Sequence, residues 1–234
     1  MASTSLPDSG APVVVTFARP EESGPFRRAL AGLRKTKWGA LPAFRGRSGK
    51  VDVIVIHTGI GPAAADAAIR AVLALEKPRL VVCSGFGGGL DPQLRVGDTL
   101  AVDFSSGVIL SMSDPLETPA RKAAVFQKSG ARIVDMETAT VAAACSSAGV
   151  PLVAVRAVSD SADESLPVPF GVWFDAARQR ARPLALVGYL LRNPSRAIPF
   201  ARFVSRLPRV AAALALAIEG VLHGQGAGGM TNDE

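Results

Sequence analysis

Cysteine and histidine are scarce in this sequence, which has only two of each among its 234 residues. Cys83 and Cys145 each stand in an apolar run, which is typical of buried, reduced thiols, and their number excludes a framework of disulfides. These residues also offer too few ligands for a zinc site. We therefore expect neither a metal nor an organic cofactor.

Long apolar segments are missing as well. The longest late apolar run, Val210–Leu222, is too short to span a bilayer and contains Glu219. Residues 1–12 are polar and rich in Ser and Pro, without the charged and apolar regions of a signal peptide, so a cytoplasmic location is expected. We predict disorder for residues 1–12 and for the Gly-rich segment 224–234.

The net charge of +6 is concentrated near the C-terminus. Residues 176–218 contain no Lys, Asp or Glu but eight arginines, at positions 178, 180, 182, 192, 196, 202, 206 and 209. Apolar residues such as Leu191, Phe200 and Phe203 alternate with them, as in a basic helix lying at a membrane interface. A helix that packs on the sheet with an Arg-rich outer face explains the pattern equally well. Nucleic acid is not an expected partner, because Lys and aromatic residues are few and no binding motif occurs.

Apolar strands alternate with helices through most of the chain. The predicted core strands are Val13–Phe17, Val51–Ile56, Leu80–Cys83 and Leu152–Val158, and predicted helices begin at Pro20, Ala63, Pro119 and Met136. Strands that are apolar throughout are buried on both faces. We therefore predict a single α/β domain over residues 13–176, with a twisted mixed sheet flanked by helices. A basic helical C-terminal extension is predicted over residues 177–223.

Acidic residues stand at the end of one predicted strand and at the start of one predicted helix. Asp160 comes directly after Ser159 at the end of an apolar strand, and Glu137 lies in the first turn of a helix. Sheets of this class place their sites at the carboxyl ends of strands, where a partly desolvated carboxyl suits a general acid. Two explanations need no site: Asp160 or Asp163 caps the next helix, and Glu137 interacts with the helix dipole.

Two glycine-rich turns also follow strands, at 59–61 and 85–89. Glycine lets a ligand approach the backbone closely, although plain structural turns explain both segments as well. Neither turn has the spacing of a dinucleotide-binding fingerprint or of a phosphate-binding P-loop.

Taken in order, four motifs resemble those of the nucleoside phosphorylase/nucleosidase superfamily, and in particular its methylthioadenosine/S-adenosylhomocysteine nucleosidase branch. The motifs are Thr58–Gly61, Ser84–Leu90 with Gly97–Asp98, Val134–Glu137 and Arg156–Asp163. The resemblance covers roughly residues 13–163. It implies an enzyme that cleaves the N-glycosidic bond of a purine nucleoside, with adenine as the expected base, and a homo-oligomer as the common assembly.

The resemblance also implies roles for individual residues. Asp160 would protonate the purine, with Ser159 placing its carboxyl, and Glu137 would hold the ribose hydroxyls above Met136. Glu22 would orient the attacking water. The remaining lining positions of the implied pocket are Ile60, Gly85, Phe86 and Gly87.

Glu22 is preferred to its neighbour Glu21 because Phe26 follows four residues later. The helix that carries them is expected to present Phe26, Leu30 and Leu33 on its apolar face.

Water is the favoured acceptor. Phosphorylases of this superfamily place an Arg just before the second glycine-rich turn, whereas the stretch 81–84 has none. Loss of a fixed cation for a dianion is costly. Phosphate remains an alternative, with Arg19, Arg27 or Arg28 as its ligands.

Two departures from the family pattern bear on the substrate. Phe86 stands where the family has Ser, and the segment between Asp98 and Asp135 is short, which leaves 111–116 as an abbreviated base-binding loop. A short loop opens the pocket to a bulky 5′ substituent. Together with Leu166–Pro167 and the basic C-terminus, it resembles the hopanoid-associated branch, which acts on adenosylhopane. That implies peripheral contact with the inner membrane face. The alternative is a catalytically degenerate nucleoside- or lipid-binding protein in which Phe86 fills the nucleophile's space.

Overall fold

A computed structural model describes residues 10–75 and 77–224 of the protein. The strands are β1 (Val13–Phe17), β2 (Ala31–Trp38), β3 (Leu41–Ser48), β4 (Val51–His57), β5 (Leu80–Gly89), β6 (Thr99–Val102), β7 (Ile109–Ser111), β8 (Ile133–Asp135), β9 (Leu152–Asp160), β10 (Phe174–Asp175) and β11 (Arg180–Ala181). The helices are α1 (Pro20–Ala29), α2 (Pro62–Leu73), α3 (Pro119–Ser129), α4 (Thr138–Ala148), α5 (Phe170–Trp173), α6 (Pro183–Arg192) and α7 (Ala197–Leu222). The disorder predicted for 1–12 and 224–234 falls almost wholly outside the described residues.

One mixed sheet organises the chain. Its order is β2-β3-β4-β1-β5-β8-β7, and β9 lies beside β5 with β6 on its other side. Strands β4, β1, β5 and β9 run parallel to one another. The pairs β2–β3, β3–β4, β5–β8 and β6–β9 are antiparallel, and β7 pairs parallel with β8. The predicted α/β fold with a mixed sheet flanked by helices is therefore confirmed. Its parallel centre places several strand ends at one edge.

Two apolar layers cover the faces of the sheet. On one face Phe26 of α1, Leu30 just after it and Leu214 of α7 pack against strand residues such as Val15 and Val82. On the other face α2 and α4 pack the buried side chains Ile69, Val72, Val141 and Cys145. Both cysteines are buried and free, as predicted.

The hairpin of β2 and β3 was not predicted. Strand β2 carries Lys and Arg at successive positions and is exposed along most of its length, so the alternation that marks a half-buried strand is missing. Helix α1 ends at Ala29, and Leu30 already has an extended backbone. The expectation that Leu33 lies on the helix is therefore wrong, because this residue belongs to β2.

The two halves of helix α7 differ in burial. Its C-terminal half contributes Val210, Leu214, Ile218 and Leu222 to the core, so residues beyond the predicted boundary at 176 share the core of the α/β domain. Its first half, with Arg202 and Arg209, is largely exposed. Within the described ranges, no helix is long and apolar enough to cross a membrane.

Candidate active site

The carboxyl ends of β1, β4, β5, β8 and β9 meet around one cavity of about 350 Å³. Such a volume suits a small-molecule ligand. The cavity is lined by most of the residues predicted from the sequence: Glu22, Ile60, Phe86, Gly87, Met136, Glu137, Ser159 and Asp160. The remaining one, Gly85, lines a smaller cavity that Phe86 also lines. The structure thus brings together residues that lie up to 138 positions apart in the chain.

Asp160 is the last residue of β9 and is buried at the cavity wall. Ser159 Oγ donates to Asp160 Oδ1 over 2.6 Å, which is the placing role implied for this serine. The carboxyl does not cap a helix, because turns and bends follow it as far as Pro169. The explanation of Asp160 as a helix cap is therefore wrong.

A second partner of Asp160 was missed. Lys122 Nζ on α3 lies 2.5 Å from Asp160 Oδ2. The lysine is fully buried, and its ammonium also donates to the carbonyl oxygens of Ser161 and Glu164, over 2.6 and 3.0 Å. No local pattern marks Lys122, which precedes Asp160 by 38 residues. The carboxyl is thus one half of a buried ion pair.

Glu137 occupies the N-cap position of α4 without making a side-chain cap hydrogen bond, and it lines the same cavity. Its Oε1 accepts the backbone N–H of Gly61 over 2.7 Å. Gly61 has a φ of 91°, a conformation that favours glycine, so the turn after β4 needs this residue to aim its N–H. Burial, followed by repulsion from Asp135, raises the pKa of Glu137. A carboxylate with one oxygen fixed can accept hydrogen bonds from a sugar diol at the other.

Glu22 lies on α1 with its carboxyl buried beneath the end of β1. Its Oε2 accepts the backbone N–H groups of Ala18 and Arg19, over 3.1 and 3.2 Å, and its Oε1 faces the N–H of Phe86 at 3.5 Å. Burial, followed by repulsion from Glu137, raises the pKa of Glu22 to about 7. A carboxyl with such a pKa can exchange a proton near neutral pH.

Glu21 behaves differently from Glu22. Its side chain is 65% exposed and pairs with Arg19 over 2.8 Å. The hydrogen bond from Arg19 lowers the pKa of Glu21. Geometry and environment therefore agree with the choice of Glu22, whose catalytic role stays a prediction.

A small cavity of about 10 Å³ adjoins the main one and is lined by Glu22, Glu137, Phe86 and Gly85. Its size corresponds to about one water molecule. Two carboxylates and a backbone N–H supply the polar partners that such a water needs. This cavity lies against both Glu22 and Glu137, and its use by an attacking water stays a prediction.

Phe86 lines both cavities. Its side chain packs against the apolar cluster that α1 and α7 form on the sheet, while its N–H points to Glu22. The neighbouring Gly87 is required by close packing, since a Cβ there would lie 2.5 Å from Ile133 and 3.0 Å from the carbonyl oxygen of Val134. Strands β5 and β8 can pair at this point only because residue 87 lacks a side chain.

Asp135, the acidic residue two positions before Glu137, has a structural role. Its Oδ2 accepts Nε and a terminal nitrogen of the buried Arg156, over 2.8 and 2.5 Å, and its Oδ1 accepts Ser111 Oγ over 2.5 Å. Thr138 completes this group. The buried pair locks the end of β8 to β9 and so fixes the strand that leads to Glu137.

Apolar side chains form the outer part of the main cavity. They come from the loop before α3, from the segment after β9 and from α5 to α7, and include Leu116, Leu166, Pro167, Phe170, Trp173, Leu186, Phe200, Phe203, Val204 and Leu207. The abbreviated loop 111–116 thus reaches the pocket through Pro115 and Leu116. The Arg-rich segment supplies one wall of the cavity, through residues such as Leu186, Phe203 and Leu207.

The arginines considered for phosphate occupy different places. Arg19 lies at the cavity, near the rings of Trp173 and Phe174. Arg27 instead stacks on Phe44, 4.4 Å from the ring centre. Neither Arg27 nor Arg28 is among the lining residues of the cavity. Across the described ranges, no group of three or more His, Cys, Asp or Glu side chains could hold a metal ion.

A sequence profile of the phosphorylase superfamily matches residues 12–103 and 99–187. Because this match spans more than half of the chain, the protein belongs to the phosphorylase superfamily. The resemblance inferred from the four motifs is thereby confirmed, and with it the predicted class of enzyme.

Individual relatives agree with this placement. The 5′-methylthioadenosine/S-adenosylhomocysteine nucleosidase of Haemophilus influenzae (strain PittEE) is 24% identical, over 74% of this chain and 96% of that protein. The Neisseria meningitidis enzyme of the same name, solved with methylthio-immucillin-A, superposes with a TM-score of 0.65 at 20% identity, over 91% and 98% of the two chains. Futalosine hydrolase of Helicobacter pylori strain 26695 gives a TM-score of 0.63 at 19% identity, over 91% and 97%. At these identities the solved structures show a common fold.

Proposed function

We propose that this protein hydrolyses the N-glycosidic bond of an adenine nucleoside that carries a modified 5′ position. The observation that carries the proposal is the arrangement of Asp160, Glu137 and Glu22 around one cavity, with space for a water molecule between the two glutamates. The names of the relatives support adenine as the base and water as the acceptor.

The proposed reaction assigns one task to each carboxyl. Asp160, ionised against Lys122 in the free site, takes up a proton from solvent and gives it to the purine. The C1′–N9 bond breaks, and its electron pair stays with the base. Glu137 accepts hydrogen bonds from the ribose hydroxyls, which strengthen as positive charge develops on the sugar. The water oxygen then attacks C1′ and its proton passes to Glu22. Met136 lies beneath the sugar, and the backbone of Ile60, Gly85 and Gly87 closes the pocket.

The outer cavity supports an apolar 5′ substituent. Its lining beyond the ribose site is almost entirely aliphatic and aromatic, from Leu116 to Leu207. Apolar surface buried there contributes about 0.8 kcal/mol for each CH₂ group. A lipid nucleoside such as adenosylhopane fits this chemistry, and the resemblance to the hopanoid-associated branch favours it.

A series of 5′-alkylthioadenosines tests the outer cavity. We expect kcat/KM for adenine release to rise at least about tenfold from the methyl to the butyl compound. Phe203→Ser should remove most of this gain and leave the methyl compound nearly unaffected. Leu216→Ser is the matched control, because Leu216 is exposed on the same helix and does not line the cavity. Equal kcat/KM for all chain lengths would contradict an apolar 5′ site.

Peripheral contact with the inner membrane face, from a cytoplasmic location, forms part of the proposal. Helix α6 has no buried residue, and Leu184, Val187 and Leu191 on it are 87%, 53% and 78% exposed. These three share one face by their spacing. Exposed arginines stand before and after them in the chain, at 182, 192, 196 and 202. An anionic bilayer would bury the apolar residues of this face and attract its arginines. The bilayer would lie beside the cavity wall formed by Leu186 and Phe203.

Vesicle co-sedimentation measures this contact. The full chain should sediment with phosphatidylcholine vesicles that contain about a third phosphatidylglycerol, and less so as salt increases. The pair of changes Leu184→Ser and Leu191→Ser should abolish sedimentation, with Leu216→Ser as the control. Absence of binding would contradict the membrane contact. A loss of oligomer in the double variant, measured by light scattering, would assign the α6 face to a second copy of the chain instead.

A further inference from the structure

We infer that Lys122 is a positioning residue for the reaction, acting through the carboxyl of Asp160. The inference rests on the proposed function, since it concerns the same cavity. It starts from a contact that the reaction assigned above does not use: the 2.5 Å approach of Lys122 Nζ to Asp160 Oδ2.

The ammonium of Lys122 is held from three directions. Besides Asp160 it donates to the carbonyl oxygens of Ser161 and Glu164, so each of its three protons has an acceptor. Both carbonyls belong to the segment that directly follows β9. The lysine therefore ties α3 to the end of β9 and fixes one oxygen of the carboxyl in space.

The other oxygen is fixed from the opposite side. Ser159 Oγ donates to Asp160 Oδ1, so the carboxyl is held at both oxygens and cannot rotate freely about its Cβ–Cγ bond. Placement within a fraction of an ångström is what efficient proton transfer requires, and a misplacement of about 1 Å can cost about 10²-fold in rate.

The positive charge of Lys122 also favours proton transfer from Asp160. When protonated Asp160 gives its proton to the purine, the carboxyl returns to the ionised state in which it pairs with Lys122. A preorganised cation beside that charge stabilises it without reorganisation, most of all at a site without water. Lys122 is fully buried and does not line the cavity, so its influence on the substrate passes through Asp160.

The burial of Lys122 is also hard to explain as packing alone. Lysine is almost never fully buried unless it is paired, and replacing a buried ion pair by apolar residues is often neutral or stabilising. A pair used only for folding could therefore be exchanged for apolar side chains, whereas a pair that orients a reacting carboxyl could not.

The test is a cycle of Lys122→Met, Asp160→Asn and the double variant, with adenine release and adenine affinity measured for each full-length protein. Lys122→Met should lower kcat about 10²-fold while KM changes less than about threefold, and should raise the Kd for adenine about tenfold. In the Asp160→Asn background the same change should alter kcat less than about twofold, because the group through which Lys122 acts is gone.

Controls separate this role from folding and from the proposed function. Lys128→Met, on the exposed side of the same helix, should match the wild type. Should Lys122→Met fail to fold, Lys122→Gln keeps an N–H donor near Asp160, and the double variant removes both charges together. Unchanged kcat and adenine affinity in Lys122→Met, or an equal loss in both backgrounds, overturns the inference. A wild-type protein that neither releases nor binds adenine overturns the proposed function as well.

Discussion

Asp160→Asn protein is expected to fold and to release adenine about 10²–10⁴-fold more slowly than the wild type, the usual contribution of a general acid. The amide cannot transfer a proton to the purine. Its oxygen can still accept from Lys122, which keeps the carbonyl oxygens of Ser161 and Glu164 as well. The fold should therefore survive, and circular dichroism with single-turnover adenine release measures both parts.

Asp163→Asn is the matched control for this change. Asp163 belongs to the same motif, but its carboxyl is bound to Ser161 Oγ at the exposed surface. Its removal should leave the rate within about twofold of the wild type, as for most surface substitutions. A folded Asp160→Asn protein with wild-type turnover contradicts the acid role of Asp160.

Glu22→Gln is expected to lose activity and, at alkaline pH, to gain stability. Burial and then the neighbouring Glu137 raise the pKa of Glu22 from 4.5 to about 7. A carboxyl whose pKa is higher in the folded than in the unfolded chain stabilises the fold below its unfolded pKa. That contribution is lost as pH rises through about 7. Glutamine resembles the protonated carboxyl at every pH.

The free energy of unfolding should therefore differ little between Glu22→Gln and wild type near pH 4.5. At pH of about 8 the variant should be more stable, by up to about 3 kcal/mol. Urea titrations at the two pH values measure this difference. Glu21→Gln, at the exposed neighbouring position, should show no such gain. A Glu22→Gln protein that is less stable than the wild type at the higher pH would contradict a raised pKa for Glu22.

The activity of Glu22→Gln follows from the same environment. If ionised Glu22 orients the water and takes its proton, wild-type kcat/KM should rise with pH through about 7. The glutamine variant should lose about 10²-fold or more, and the corresponding limb of its pH profile should disappear.

The sequence predicted the site well where chemistry follows a strand directly. Glu137, Ser159 and Asp160 each stand within two residues of a strand end, and parallel strands bring such ends together. Gly61, in the turn after β4, could be predicted for the same reason. In these cases the order of residues along the chain was sufficient.

The contacts that were missed are distant in the chain. Lys122 lies inside an ordinary helix, and only the tertiary fold sets it against Asp160. Gln179 likewise reaches back 119 residues to hold both backbone groups of Ile60. Strand β2 was not predicted because its positively charged residues do not alternate with apolar ones. The packing of α7 on the sheet was one of two interpretations of its sequence, and the buried residues Val210, Leu214 and Ile218 do recur every four positions.

Adenine release by the wild-type protein, from 5′-methylthioadenosine and from a long-chain 5′-alkylthioadenosine, tests the central claim most directly. The measurement is made with and without phosphate. We predict free adenine and free sugar at equal rates in both conditions, with the long-chain compound preferred. Release only in the presence of phosphate would contradict hydrolysis and direct attention to Arg19. Intact nucleoside binding without any release would contradict the enzyme itself.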